Sequence, residues 1–235
     1  MQEFAHSRAV IVGINAYQNG IPSLRTPVCD AIALALRKQH GYFPIYLRTE
    51  HRATLDGLRT LLHQRLPHST DERERLLFYF AGHGVALPGK GGPEGFLLPQ
   101  DAQRDNRDSY LSMQELSTAL ANLGYHHLLV ILDCCFAGAF SWASGRETDL
   151  APDSVLYRER FAHYVDSTTW QVLTSAWYNQ RALDVAGGYA LGSRENGDEH
   201  SPFAAGLLAA LGGQADILPK PDGDGVILAS ELIAY

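Results

Sequence analysis

The sequence predicts an α/β fold, a mostly parallel central sheet flanked by helices on both faces, on three observations. Short β-rich apolar runs alternate with amphipathic segments of helical period, as strands joined by helical crossovers do. One run, Leu76–Ala81, is apolar throughout, as a strand covered on both faces must be. Two runs end abruptly in residues suited to chemistry, one in Gly82-His83-Gly84 and the other in Cys134-Cys135. In sheets of this kind the site lies in the crevice beyond the carboxyl ends of the strands.

Arg8–Ile14 reads as the first buried strand. A turn-rich stretch runs from Asn15 to Pro27. Val28–His40 then reads as a helix with Val28, Ile32 and Leu36 on its apolar face and Gly41 as its stop. Phe43–Leu47 is the second strand. Leu55, Leu58, Leu62 and Leu66 recur at helical steps, and Pro67 ends that helix. Leu76–Ala81 is the third strand. Beyond it, Val85-Ala86-Leu87, a Gly/Pro-rich turn and Phe96-Leu97-Leu98 form a hairpin reaching outward from the sheet. Ser112-Met-Gln-Glu115 has the pattern of a capping box. It opens a helix carrying Leu116, Leu120 and Leu123, with Gly124 as stop. His127–Asp133 and Gln171–Ser175 are the fourth and fifth strands. Residues 139–169 and Gly187–His200 are expected to be a long mobile connection and a polar loop. Ser201-Pro202 caps a helix through Leu211. Ser230–Tyr235 starts a last helix, which is either short or the beginning of a longer element in a parent chain.

The 235 residues, 46% apolar and 19% charged, suffice for one sizeable core and exclude disorder as the main description. The expected organisation is a single domain over residues 1–235, with further domains in a parent chain left open. A net charge of −7 offers no basic excess for phosphate backbones, so nucleic acid is not an expected partner. The longest apolar runs, Ala9–Ile14 and Leu128–Leu132, fall far short of a membrane span. The first eight residues lack the parts of a secretory signal. Three cysteines are too few for a disulfide framework, and adjacent Cys134 and Cys135 would make a strained bond. The expectation is a cytoplasmic protein with reduced thiols.

A cysteine nucleophile needs access, thiolate character and a basic neighbour. His83 can be that neighbour, and the glycines on either side let backbone and substrate come close. Amides at such a turn can also face a developing oxyanion. A Gly-His-Gly turn or a cysteine pair at a strand end is ordinary when met singly. The two together, on the ends of two strands expected to be adjacent, point to nucleophilic catalysis.

Tyr79-Phe80-Ala81-Gly82-His83-Gly84 and Leu132-Asp133-Cys134-Cys135-Phe136-Ala137-Gly138 resemble the histidine and cysteine motifs of the caspase-like cysteine peptidases. The metacaspase and bacterial caspase-homologue branch, with its Asp-x-Cys-x-(Ser/Ala)-Gly motif, is the closer match. The histidine precedes the cysteine by about 50 residues, as in caspases. Further likeness lies in Ala9-Val-Ile-Val-Gly-Ile-Asn15, Leu24-Arg-Thr-Pro-Val-Cys-Asp30-Ala31, Gly95-Phe-Leu-Leu-Pro99 and Gln171-Val-Leu-Thr-Ser175, nearly the whole chain. The resemblance implies a caspase-like fold and a cysteine endopeptidase acting on peptides or proteins. It makes Cys135 the nucleophile and His83 the acid/base partner, with the Gly84 and Cys135 amides as the oxyanion hole. Side-chain alternation agrees that only one of two neighbouring cysteines serves. Cys134 is then expected behind the strand and Cys29 in a helix core.

The same resemblance implies that Asp30 and Asp133 bind a basic side chain at P1, the residue before the scissile bond. Each acid also has a structural reading, Asp30 as a charge at a helix N-terminus and Asp133 as a backbone-bonding acid at a strand end. Caspases that accept aspartate use arginines instead, and Arg25 lies near that position. Ala81 stands where some relatives carry a pocket serine. The rival to a peptidase is a caspase-like interaction module without hydrolysis. Asp222, Asp224, Gly225 and Glu231 partly match a calcium loop, but Lys220 at its first position cannot ligate. Several metacaspases, which this sequence resembles, use calcium through an acidic cluster outside this segment, and here Phe140 and Trp142 follow the cysteine instead of acids. No zinc spacing exists, and His126 and His127 read as structural. No cofactor is expected to be required, and calcium finds no support in the sequence.

Overall fold

Two eight-residue strands, the first carrying Val10, Ile11 and Val12 and the third carrying Phe78, Tyr79 and Phe80, set the architecture. The computed structural model describes residues 4–71, 73–89, 92–140, 168–176, 182, 184, 200–217, 223 and 225–235. Five parallel strands form one sheet: β1 (His6–Gly13), β2 (Ile45–Thr49), β3 (Glu74–Ala81), β7 (His127–Asp133) and β8 (Thr169–Thr174). Their order across the sheet is β2-β1-β3-β7-β8. Strand β3 is central, as its unbroken apolar run requires. A second, antiparallel sheet joins β4 (Gly84–Gly89), β5 (Gly92–Leu97) and β6 (Leu111–Ser112), the expected hairpin with one short strand added.

Period-two alternation sends the strand side chains into two cores. Val10, Val12, Phe78, Phe80, Val130 and Leu132 pack against α2 (Leu55–Thr60) and α3 (Met113–Asn122). On the opposite face Ala9, Ile11, Leu77, Tyr79, Ala81 and Ile131 pack against α1 (Pro27–Ala35) and α4 (Pro202–Ala209). A last helix, α5 (Ala229–Ala234), adds Leu232 to that side. Helices therefore cover both faces. Each fully buried Leu or Phe contributes roughly 1.5–3 kcal/mol, and these two layers fix which face every strand residue occupies.

Several local expectations are corrected. Helix α1 ends at Ala35, and its buried residues are Pro27, Asp30, Ala31 and Leu34. Ile32 and Leu36, read as part of its apolar stripe, are 42% and 68% exposed. The helix packs through small residues because β1 runs close beneath it. A Cβ on Gly13 would lie 2.6 Å from that of Ala31. Strand β2 starts at Ile45, leaving Phe43 exposed. The capping box at Ser112 does not close. Ser112 Oγ accepts the Gln114 N–H, while the Glu115 carboxylate takes a two-pronged bond from Arg59 on α2, at 2.7 and 2.8 Å. Residues 141–167, most of the expected long connection, and Gly187–Glu199 of the polar loop lie outside the described residues.

Register carries the fold to the site. Gly13 pairs with Ala81, and Ala81 pairs with Asp133. The carboxyl ends of β1, β3 and β7 are therefore level, and the segments leaving these three strands meet at one edge of the sheet.

Candidate active site

His83 and Cys135 each lie two residues beyond the paired Ala81 and Asp133, so both leave the sheet at the same height on neighbouring strands. The Gly82 N–H donates to the Asp133 carbonyl at 3.2 Å and ties the two exits together. A side chain on Gly84 would overlap the Cys135 carbonyl oxygen and meet Cys134 Sγ at 3.0 Å. Glycine there lets the backbone after the histidine pass directly against the backbone of the cysteine turn. The Leu98 N–H donates to the His83 carbonyl at 3.0 Å, while Gly84 stands opposite Leu97. In an antiparallel ladder this parity makes Gly84 and Leu97 a non-hydrogen-bonded pair. The Gly84 amide is thus not spent on Leu97, as an oxyanion donor requires.

The imidazole of His83 is oriented by the loop after β1. Its Nε2 lies 2.8 Å from the Pro22 carbonyl. A carbonyl only accepts, so the ring proton sits on Nε2 and the neutral ring keeps its lone pair on Nδ1. The backbone N–H of His83 donates to the Tyr17 hydroxyl at 2.7 Å, and the two rings pack with centroids 4.8 Å apart. Sequence reasoning missed both partners. Tyr17 and Pro22 sit in a stretch whose composition signals only turns, and a backbone carbonyl leaves no residue-type signature.

The two cysteines part as side-chain alternation requires. Cys134 is buried in the core with Ala137 and Phe140, and that burial holds its thiol well above the usual range. Cys135 is half-buried, with Sγ 4.0 Å from the Ala182 carbonyl. Phe136, the next residue, has φ +58°, a left-handed conformation uncommon for an aromatic residue, and turns the chain sharply after the cysteine. Cys29, on α1, is half-buried rather than fully in the core.

Asp30 and Asp133 come together beneath the strand ends, 1% and 7% exposed. Consecutive residues at the start of α4 engage both. His200 Nδ1 lies 2.6 Å from Asp30 Oδ1, and the Ser201 N–H lies 3.4 Å from Asp30 Oδ2. Ser201 Oγ donates to Asp133 Oδ2 at 2.6 Å and accepts the Ala204 N–H as helix cap. Burial pushes Asp30 up from its ordinary 3.8 to about 6, against the pull of His200 and with the push of the Asp133 charge. Burial also raises Asp133, while the Ser201 hydroxyl holds it down. The Tyr79 hydroxyl, on the same face, is buried without a hydrogen-bond partner among the described residues. Arg25 lies on the exposed loop before α1, its backbone N–H donating to Asp184 at 2.8 Å. His200 and Ser201 were read from sequence only as the end of a loop and a helix cap. Their second role depends on α4 crossing above α1.

Asp222 and Asp224 of the calcium-loop pattern lie outside the described residues. Glu231 accepts the Leu228 N–H at 2.8 Å and the Ile217 N–H at 3.3 Å, so it caps α5. Among the described residues no group of three or more His, Cys, Asp or Glu side chains could hold a metal ion. No helix among them is long and apolar enough to cross a membrane.

No curated protein matches this sequence. Among solved structures, protein GSU0716 from Geobacter sulfurreducens is similar in fold, with a TM-score of 0.54 at 15% identity, covering 87% of this chain and 81% of that one. The description "Caspase domain" belongs to the peptidase family that matches residues 6–218. That span holds all five strands of the parallel sheet and both strand ends that carry His83 and Cys135. The chain belongs to the caspase domain family of cysteine peptidases.

Proposed function

We propose that the chain is a cysteine endopeptidase in which Cys135 attacks a peptide bond, His83 moves the protons, and arginine or lysine is preferred at P1. The observation that supports this reading is the level exit of β3 and β7, since His83 and Cys135 each follow two residues beyond the paired Ala81 and Asp133, with the Gly84 backbone against Cys135. His83 Nδ1 takes the thiol proton, and the thiolate adds to the substrate carbonyl carbon. The Gly84 and Cys135 N–H groups receive the negative oxygen. The imidazolium then gives its proton to the leaving amine as the C–N bond breaks. In the second half His83 takes a proton from water, hydroxide adds to the thioester, and the acid product leaves as Cys135 recovers its proton. No step is assigned to calcium or another cofactor. Residues 1–235 act as one domain, and the low cysteine content supports a cytoplasmic setting.

Asp30 and Asp133 supply the P1 preference. Two carboxylates from different elements suit the planar fork of arginine better than the point charge of lysine. His200 and Ser201 hold those carboxylates, so a basic side chain would compete with groups of the chain itself. The test is a fluorogenic peptide panel varying only P1, run on wild type, Asp30→Ala and Asp133→Ala. Arginine should lead, and either substitution should cost roughly 2–5 kcal/mol in kcat/KM on arginine and much less on neutral residues. A preference for aspartate, or unchanged arginine cleavage in both variants, overturns the assignment and brings Arg25 forward.

A further inference from the structure

The loop between β1 and α1 grips His83 at two points. Pro22 takes the ring Nε2–H, and Tyr17 takes the backbone N–H. We propose that Tyr17 is a positioning residue for catalysis: its hydroxyl and ring fix the place from which His83 Nδ1 serves Cys135. The inference rests on the His83–Cys135 pair proposed above.

Three features of the site support it. The His83 N–H lies just past the end of β3, where the neighbouring strands have stopped pairing. It donates to the Tyr17 hydroxyl, and a half-buried amide left without a partner is costly. The space for that hydroxyl is built in, since a Cβ on Gly82 would stand 2.6 Å from it. Glycine before the catalytic histidine thus makes room for a phenol as well as for substrate. The phenol is also held in place from behind. Gln18 N–H donates to the Gln100 carbonyl at 2.9 Å, and Asn19 Nδ2 donates to the Asp101 and Ala102 carbonyls at 3.2 and 3.1 Å. Ala16 N–H donates to Glu50 Oε2 at 3.0 Å. A post anchored on both sides transmits its position to what it touches. The tilted ring, 4.8 Å from the imidazole, then limits how far His83 can swing while Pro22 keeps its tautomer. Burial raises the phenol well above its ordinary range, against the opposing pull of its bond with the His83 backbone. Tyr17 therefore stays a neutral hydroxyl while the thiolate forms.

Tyr17→Phe removes the acceptor and keeps the ring. Displacing a base by a fraction of an ångström weakens proton transfer more than substrate binding. The expected result is a kcat about tenfold lower with KM within about twofold. Alkylation of Cys135 by iodoacetamide, with tandem mass spectrometry to locate the adduct, gives a readout that a merely structural role would not move. At pH 7 the thiolate depends on His83, whereas at pH 10 a thiol ionises unaided. The pH 7 rate should fall with kcat and the pH 10 rate should hold. Gly82→Ala, which displaces the hydroxyl instead of deleting it, should give the same split if Tyr17→Phe does not fold. A kcat within twofold of wild type, or equal changes at both pH values, overturns the proposal. His83→Ala separates the two layers. If it lowers the pH 7 rate while Tyr17→Phe does not, only the role of Tyr17 falls. If it leaves that rate unchanged, the dyad falls and this inference with it.

Discussion

Cys134 and Cys135, joined by one peptide unit, differ in burial. Cys134 lies in the core with Ala137 and Phe140, and its thiol is held protonated by burial. Cys135 lies past the paired end of β7, half-buried, with Sγ 4.0 Å from the Ala182 carbonyl. Cys135→Ala should abolish peptide hydrolysis with little change in stability. Cys134→Ala should keep most of the activity and cost about 1 kcal/mol through the small void it leaves. A kinetic assay alongside thermal melting checks both, and equal loss of activity in two folded variants would refute the register. At this scale the sequence was legible wherever a residue type is itself the signal, as with Gly82-His83-Gly84 and the cysteine pair. It was silent on Pro22, whose contribution is a backbone carbonyl. It was silent on Tyr17 and His200 too, because each acts on a group more than 60 residues away.

Helix α1 sets the position of Asp30, and the strand beneath sets the position of α1. Gly13 and Ala31 let helix and strand approach until a Cβ on Gly13 would overlap the Pro27 carbonyl oxygen. Gly13→Ala should push the helix away, costing roughly 1–3 kcal/mol as overpacking does. It should also raise KM for arginine substrates more than for neutral ones, because Asp30 moves with the helix. A shift in thermal midpoint with an unchanged KM ratio would separate Asp30 from the pocket. The same contact explains why the apolar stripe of α1 was misread. The close approach is made at Pro27 and Ala31, which turns the face of Ala31 and Leu34 to the sheet and leaves Ile32 and Leu36 exposed. Glu115 was misread for a related reason. Its spacing from Ser112 fits a cap, but Arg59 on the neighbouring helix offers a charged, two-pronged partner that a local motif cannot reveal.

Across the whole molecule, alternation of strands and helices was enough to predict the parallel sheet and its two covered faces. The order β2-β1-β3-β7-β8 was not, since crossovers leave little trace in local pattern. That order makes β1, β3 and β7 neighbours and gathers Asp30, His83, Asp133 and Cys135 at one edge. The gathering leaves a signature in stability. Folding raises Asp30 from 3.8 to about 6, so between those values the folded chain holds a proton that the unfolded chain releases. Stability from this group is therefore lost as pH rises through that window, by about 3 kcal/mol. Asp133, raised in the same direction, adds to the trend. The melting temperature of Asp30→Asn relative to wild type should climb between pH 4 and pH 7, and a constant difference would contradict the burial argument. The central claim is that the level exits of β3 and β7 make a working Cys135–His83 pair. Its most direct test is labelling with a peptidyl acyloxymethyl ketone bearing P1 arginine, with mass spectrometry to identify the modified residue. Labelling of Cys135, lost in His83→Ala, is the predicted result. No label, or a label on Cys134 or Cys29, would contradict it.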